Sequence, residues 1–468
     1  MYYLLKENFL LRGWEKLPYC LVEHSKNDIF FLDRKTFDAL MLCNGKIDLS
    51  LPIISDEVRT MIKEMEKEKI VQSCAAGKGL LENQKYHQYQ NRFIRQAHWS
   101  ITGKCNYRCK HCYMSAPEAK LGELDHETVM DIVEQIAQCG ITKVSLTGGE
   151  PLVRSDFLEI VDALLGHGID IVQIYSNGKL VNEHLLKELD ARVIHPEFNM
   201  SYDGDDGWHD WLRGVDNAGE IVLRAFDLCY EMGFPTGAEM CLHQGNKNVL
   251  RQSINTLAAH HCTSVKTNPV SDTELWKKYG MNYSIDLKEV FALYLDYIPQ
   301  FFEDGMPIGV MLGGFFMCSQ GETNWVVPMA KYDSKTSDEN ATICGHARNT
   351  LYISPESRML PCLSLSATEL QENYPKITEI GLQKGLSDSS YMKIIDTRLK
   401  EYWQVNLECE QCAYKEVCGG GCRASALMND ETNIMAPDRA SCLFFKDGYF
   451  EKVKETAALA VEALKNKD

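Results

Sequence analysis

The sequence predicts an α/β protein with a parallel sheet or barrel at its centre, and three observations carry that expectation. Helix-period and strand-period segments alternate from about residue 124 onward. Polar turns with glycine follow consecutive strands at TGGEP, YSNG and SYDG. Cysteines crowd just before this alternating region and again after it. The 468 residues suffice for two to three domains. With 45% apolar and 25% charged residues the composition is that of a globular protein. A net charge of −17 argues against non-specific nucleic-acid binding, which needs cationic surface. No apolar run reaches 18 residues, so no membrane span is expected. The segment MYYLLKENFLLRGW lacks the basic, apolar and small-residue pattern of a signal peptide. A cytoplasmic location is therefore expected. In a reducing cytosol, 18 cysteines are either packing residues or metal ligands.

Residues 1–85 read as a first module. YCLVEH and DIFFLD are short β runs joined at SKN, a hairpin signal. KTFDALMLCNG reads as a helix with a glycine stop, and SDEVRTMIKEMEKEKIV as a second helix capped by Ser55. A short strand, IVQS, closes a winged-helix-like arrangement. The second helix segment carries no fewer acids than bases, which disfavours DNA reading. Residues 75–96 are polar and are expected to connect this module to the centre.

The first cysteine cluster is C105-N-Y-R-C109-K-H-C112. One short loop can wrap three thiolates around one object. Three thiolates suit an iron–sulfur cluster with one iron free of protein ligand, whereas structural zinc wants four closed ligands. Downstream, LDHETVMDIVEQIAQCG is helical with Gly140 as its stop, and ITKVSLTGGEP is a strand entering a turn. DFLEIVDALLGHG and IDIVQIYSNG repeat the unit, HPEFNMSYDG adds a strand, and two further helix–strand pairs follow. In such folds chemistry sits at strand C-termini. Cys139, Cys229, Cys241 and Cys262 lie on apolar faces and read as core thiols, and Cys20, Cys43 and Cys74 have no partner spacing.

C-x3-C-x2-C opening a βα array with GGEP after its second strand resembles the radical S-adenosylmethionine (SAM) superfamily over residues 97–320. The resemblance implies a partial (β/α)6 barrel and a [4Fe–4S] cluster on Cys105, Cys109 and Cys112. SAM then chelates the free iron and is cleaved to a 5′-deoxyadenosyl radical that abstracts substrate hydrogen. Gly148, Gly149 and Glu150 match the edge that receives the SAM amino group. Ser176 and Asn177 match the ribose turn, and Ser201 and Asp203 a further SAM-proximal strand end. Arg213 and Arg224 are both candidates for the arginine that pairs the SAM carboxylate. His111 holds the position that contacts adenine. A reductant such as flavodoxin or ferredoxin is implied as a partner.

Residues 321–468 carry the second cluster: Cys344 and Cys362, then C409-x2-C412-x5-C418-x3-C422, then Cys442. Zinc knuckles are the competing reading of such pairs. The pattern resembles the SPASM extension of radical SAM enzymes, which holds two auxiliary [4Fe–4S] clusters and brings the implied total to three. By that resemblance one takes Cys409, Cys412, Cys418 and Cys442, and the other Cys344, Cys362 and Cys422. The fourth position of the latter stays open, with Cys318 a candidate. Glu356–Ser357 stands where the family pattern expects glycine. The first module resembles the PqqD-like domains that grip the leader of a ribosomally made precursor peptide by β-strand addition. Together these resemblances imply a peptide maturase that installs an oxidative cross-link, thioether or carbon–carbon. The alternatives are a protein oxidase of the anaerobic sulfatase-maturing type, a cofactor-biosynthesis enzyme, and a zinc-stabilised winged-helix adaptor without catalysis.

Overall fold

The computed structural model describes residues 1–466 other than 25, 117–119, 333–337, 368, 388–389, 428–429 and 431. The chain opens with strands β1 (Tyr2–Leu5), β2 (Phe9–Glu15), β3 (Leu17–Glu23) and β4 (Asp28–Phe31). β2, β3 and β4 form an antiparallel meander, with Leu11 opposite Leu21 and Val22 opposite Ile29. The β3–β4 turn was read from SKN; its Ser25 lies outside the described residues. Helix α1 (Arg34–Leu42) starts where the Asp33 carboxylate accepts the Thr36 amide at 2.9 Å. Helix α2 (Asp56–Lys67) starts at Ser55, as its sequence predicts. β5 (Val71–Cys74) returns antiparallel to β1.

Two features of this module differ from expectation. β1 and β2 were not anticipated, because β2 buries residues on both faces and shows no alternation to read. The polar stretch taken as a connector contains β6 (His87–Arg92), which pairs in parallel with β2. β6 is an edge strand, so half of its side chains are exposed and its sequence looks like a loop. The N-terminal sheet therefore runs past residue 85. Trp14 anchors it to the centre by donating its indole N–H to the Cys139 carbonyl at 3.1 Å.

The centre is one open, mostly parallel sheet. β7 (Gln96–Ser100), β8 (Lys143–Thr147), β9 (Asp170–Ser176), β10 (Glu197–Ser201), β11 (Thr236–Leu242), β12 (Ser264–Pro269) and β13 (Gly309–Leu312) pair in sequence order, all parallel. β14 (Phe316–Cys318) and β15 (Trp325–Val326) add an antiparallel edge. Helices α3 (His126–Gln138), α4 (Phe157–Gly166), α5 (Glu183–Ala191), α6 (Trp208–Arg213), α7 (Ala218–Glu231) and α8 (Leu250–Ala259) lie between strands. α3 shows why: Val129, Ile132, Val133 and Ile136 recur at helical spacing and are buried. The sheet keeps two edges and so forms a partial barrel.

The extension continues this sheet. β16 (Thr350–Ile353) pairs in parallel with β7, and β17 (Met359–Leu360) folds back on β16. One apolar core runs from β7 through the extension to the C-terminal helix Tyr449–Lys465. In the β16–β17 hairpin Ser357 takes φ +65°, the left-handed position the family pattern reserves for glycine. Its hydroxyl lies 2.9 Å from that of Thr378, and its amide donates to the Ser354 carbonyl at 2.9 Å. The hairpin thus closes with serine at a backbone cost of about 1–2 kcal/mol. No described helix is long and apolar enough to cross a membrane.

Candidate active site

The first thiol loop lies at the C-terminal ends of β7 to β10. The TGGEP turn is stitched beside it: the Gly149 amide donates to the Thr102 carbonyl and the Glu150 amide to the Lys104 carbonyl, both at 2.9 Å. A Cβ at Gly148 or Gly149 would strike those same carbonyls, so only glycine lets the turn approach. The Glu150 carboxylate points inward, where it accepts the Asn177 amide at 2.7 Å, the Leu152 amide at 3.2 Å and the Ser176 hydroxyl at 3.1 Å. Burial pushes its pKa up to about 7 against those donors. Its side chain therefore braces the next strand turn. Asn177 in turn donates to Asn106 Oδ1 at 2.7 Å and lies 4.0 Å from the Cys105 sulfur.

On the other flank stands a buried ion pair. Arg213, near the end of α6, donates from Nε to Asp203 at 2.6 Å, and its Nη1 lies 3.7 Å from the Cys109 sulfur. Asp203 also accepts the Cys241 amide at 2.9 Å and faces His209 Nδ1 at 3.1 Å. Burial alone would raise the Asp203 carboxyl, but the Arg213 guanidinium overrides it and holds the group far below the usual carboxylate range. The α6 terminus is tied to the thiol loop, since Arg108 and Lys110 amides donate to the Arg213 and Leu212 carbonyls at 3.2 and 2.9 Å.

The three thiols thus sit between Asn177 and Arg213. The Tyr107 and Ala116 amides point at Cys105 and Cys112 sulfurs, each at 3.4 Å. Burial pushes the Cys105 thiol up to about 12 and raises Cys109, which Arg213 partly offsets. Without a metal such thiols stay protonated, so a bound iron–sulfur cluster would supply the charge that ionises them. His111 is half-buried, with an enclosed Nδ1 that has no partner, and desolvation holds it neutral by lowering its pKa to about 3.

Of the two arginine candidates, the structure places only Arg213 here. Arg224 is exposed on α7, where its Nε donates to the Glu220 carbonyl. Ser201 ends β10 two residues before Asp203. Cys241, read as a core thiol, lies on β11 beside Asp203, Arg213 and Cys109, and burial followed by Asp203 raises its thiol. Asn106 and Cys241 were missed as neighbours of the site; Asn106 stands inside the cysteine motif, whereas nothing local marks Cys241.

In the extension, Cys409, Cys412, Cys418 and Cys442 line one small cavity with Trp403, Tyr414 and Phe445. Cys362 lies within electrostatic reach of Cys422 and Cys344, and burial raises its thiol to about 11. These are the two sets the family pattern implies. Cys318 joins neither: its thiol donates to the carbonyls of Glu322 at 3.2 Å and Asn324 at 3.4 Å in the β14–β15 turn. It is a buried strand-end thiol, because β14 faces it toward that turn. Gly419, Gly420 and Gly421 all take left-handed φ, at 56°, 80° and 73°. Among the described residues no three His, Cys, Asp or Glu side chains are arranged around a single ion.

Residues 99–255 match the radical SAM superfamily, and the chain carries a radical SAM domain. Among curated proteins it is 30% identical over 149 residues to the Fe-coproporphyrin III synthase of Methanosarcina barkeri, covering 32% of this chain and 37% of that protein. It is 28% identical over 170 residues to the mycofactocin maturase MftC of Mycobacterium tuberculosis, covering 36% of this chain and 42% of the other. The chain therefore spans less than half the length of these two relatives in the match. Its fold is similar to that of Streptococcus suis SuiB bound to precursor peptide SuiA, with a TM-score of 0.64 at 15% identity, over 94% of this chain and 99% of SuiB.

Proposed function

We propose that this chain is a radical SAM peptide maturase that installs an oxidative cross-link in a ribosomally made precursor peptide. The observation that carries the reading is the continuity of one sheet from the first thiol loop, beside β7, into the thiol-rich extension through β16. Likeness of fold to SuiB over nearly the whole chain supports it. Cys105, Cys109 and Cys112 would hold the first cluster, and the two extension sets would hold auxiliary clusters. When bound, SAM and the first cluster supply the 5′-deoxyadenosyl radical that removes a substrate hydrogen atom.

The chain's own residues prepare that chemistry. Glycines 148 and 149 would offer backbone to the SAM amino group, and Glu150 keeps that turn and Asn177 in register. Arg213 offers Nη1 toward the thiol loop while Asp203 holds its Nε. Neutral His111 offers an uncharged face for adenine. The N-terminal sheet, now extending through β6, would take the leader peptide as an added strand. Loss of a second electron after hydrogen abstraction gives the extension its task.

Anaerobic reconstitution tests this. Iron and sulfide for three clusters, 5′-deoxyadenosine release and a peptide lighter by two hydrogens are expected. Turnover of the peptide should fall sharply when its leader is removed. Equal turnover without the leader would overturn the leader-binding role. A second reading rests on the identity to a tetrapyrrole synthase: a small-molecule substrate, for which the peptide would show no mass change.

A further inference from the structure

The loop that carries Cys105, Cys109 and Cys112 presents positive charge that no described carboxylate pairs. Arg108 is exposed; its amide donates to the Arg213 carbonyl at 3.2 Å, and its guanidinium has no partner among the described residues. Lys110 is half-buried and places Nζ 5.0 Å from the Trp211 ring centroid. Lys179, exposed in the turn after β9, places Nζ 5.8 Å from the ring centroid of Tyr107. By contrast, Lys104 at the start of the loop is matched by Glu123 at 2.9 Å. The Asp210 carboxylate on α6 accepts the Asn217 and Gly219 amides at 2.7 and 2.8 Å. Asp216 is exposed just beyond and offsets one charge at most. The face is therefore locally cationic in a chain whose net charge is −17.

Apolar ground lies beside these cations. The Trp211 ring, under Lys110, packs 4.6 Å from the Tyr283 ring, and both are half-buried. Tyr279 and Met281, shortly before Tyr283, are 52% and 55% exposed. Arginine with exposed aromatic and methionine side chains is the composition of a protein-docking patch. The patch also stands close to the thiols: Arg108 and Lys110 flank Cys109 in sequence, and the Tyr107 amide points at the Cys105 sulfur at 3.4 Å. Cleavage of SAM needs one electron at this loop before any substrate electron is available, so the first electron comes from outside the chain.

We propose that Arg108, Lys110 and Lys179, with the apolar ground at Tyr279 and Met281, form the docking surface for an acidic one-electron carrier protein. One electron leaves the reduced carrier, which is oxidised, and enters the cluster on Cys105, Cys109 and Cys112, which is reduced. That electron then breaks the sulfonium carbon–sulfur bond, giving methionine and the 5′-deoxyadenosyl radical. Opposite charge steers such a carrier to the loop, and added salt screens the attraction. The inference rests on the radical SAM reading of this loop, so the test separates the two. Flavodoxin is the probe, titrated by calorimetry into the reconstituted holoenzyme at low ionic strength. Lys179→Glu should weaken binding, Lys179→Glu with Arg108→Glu by about tenfold or more, and the loss should shrink as salt is added. Arg108→Lys should bind like wild type. Should Arg108→Glu lose iron, Lys179→Glu, which lies outside the cysteine motif, is read alone. In Lys179→Glu, 5′-deoxyadenosine formation driven by reduced flavodoxin should fall with the binding, while formation driven by dithionite stays near wild type. No 5′-deoxyadenosine from wild type with dithionite overturns the radical SAM reading and this inference with it. With that activity present, a wild type that does not bind flavodoxin overturns the docking surface alone. So does binding that neither charge reversal nor salt weakens, or an equal loss of activity with both reductants. A raised peptide KM under dithionite with unchanged flavodoxin binding assigns the face to the precursor peptide and overturns the proposal as well.

Discussion

The two thiol-bearing regions are built in opposite ways. The first loop keeps its three cysteines within one turn of chain, and neighbouring strands supply its supports: Asn177 from β9, Glu150 after β8 and the Arg213–Asp203 pair. The extension gathers cysteines from Cys344 to Cys442 with short helices and a three-glycine turn, and its buried Arg423 rests on carbonyls. The buried arginine of the first region, Arg213, holds a carboxylate; the buried arginine of the second, Arg423, holds backbone carbonyls. A site that must bind a cofactor and release it needs a rigid frame with its charges already matched, whereas a permanently bound cluster can itself complete the balance.

The sharpest way to separate the regions is by product. Cys109→Ser should abolish 5′-deoxyadenosine formation, read by chromatography of the anaerobic reaction. Cys412→Ser should leave 5′-deoxyadenosine in place and abolish the cross-linked peptide, read by mass spectrometry. If both variants lost both products, the division of labour would be wrong.

Next in size is the ion pair. Asp203→Asn leaves the Arg213 guanidinium buried without its carboxylate and should cost about 3–5 kcal/mol. Denaturant unfolding of the metal-free protein would read this, and a loss under 1 kcal/mol would show that the pair is not what holds α6 to the loop. Glu150 has the opposite electrostatics. Its folded pKa of about 7 lies above the unfolded value, so the folded state binds the extra proton. Its contribution is present below about pH 4.5 and is lost as pH rises to about 7, amounting to about 3 kcal/mol. Glu150→Gln should flatten that fall, measured as melting temperature at pH 5 against pH 8. Smallest is Arg224→Ala on exposed α7, which should change stability by less than about 0.5 kcal/mol and leave SAM affinity intact.

Much of the architecture was legible because its signals are local. The α3 stripe, the Ser55 cap and the strand-then-glycine turns follow from period and turn chemistry over a few residues. β1, β2 and β6 were missed for the same reason: burial on both faces or exposure at an edge erases alternation. The choice of Arg213 over Arg224 needed the fold, since each is an arginine on a helix after β10 and only the packing of α6 against the thiol loop separates them. Cys241 reached the site only because β11 lies beside β10 in the sheet.

The sequence by itself determined the cysteine spacings, the turn glycines and the order of helices and strands, because each depends on neighbours within about one element. The tertiary structure decided which charges are matched. Arg213 meets Asp203 because α6 returns over the end of β10, and Arg423 meets the Ala436 and Ile434 carbonyls and the Tyr402 ring. Charge compensation is a sum over space, and distance along the chain carries almost none of it.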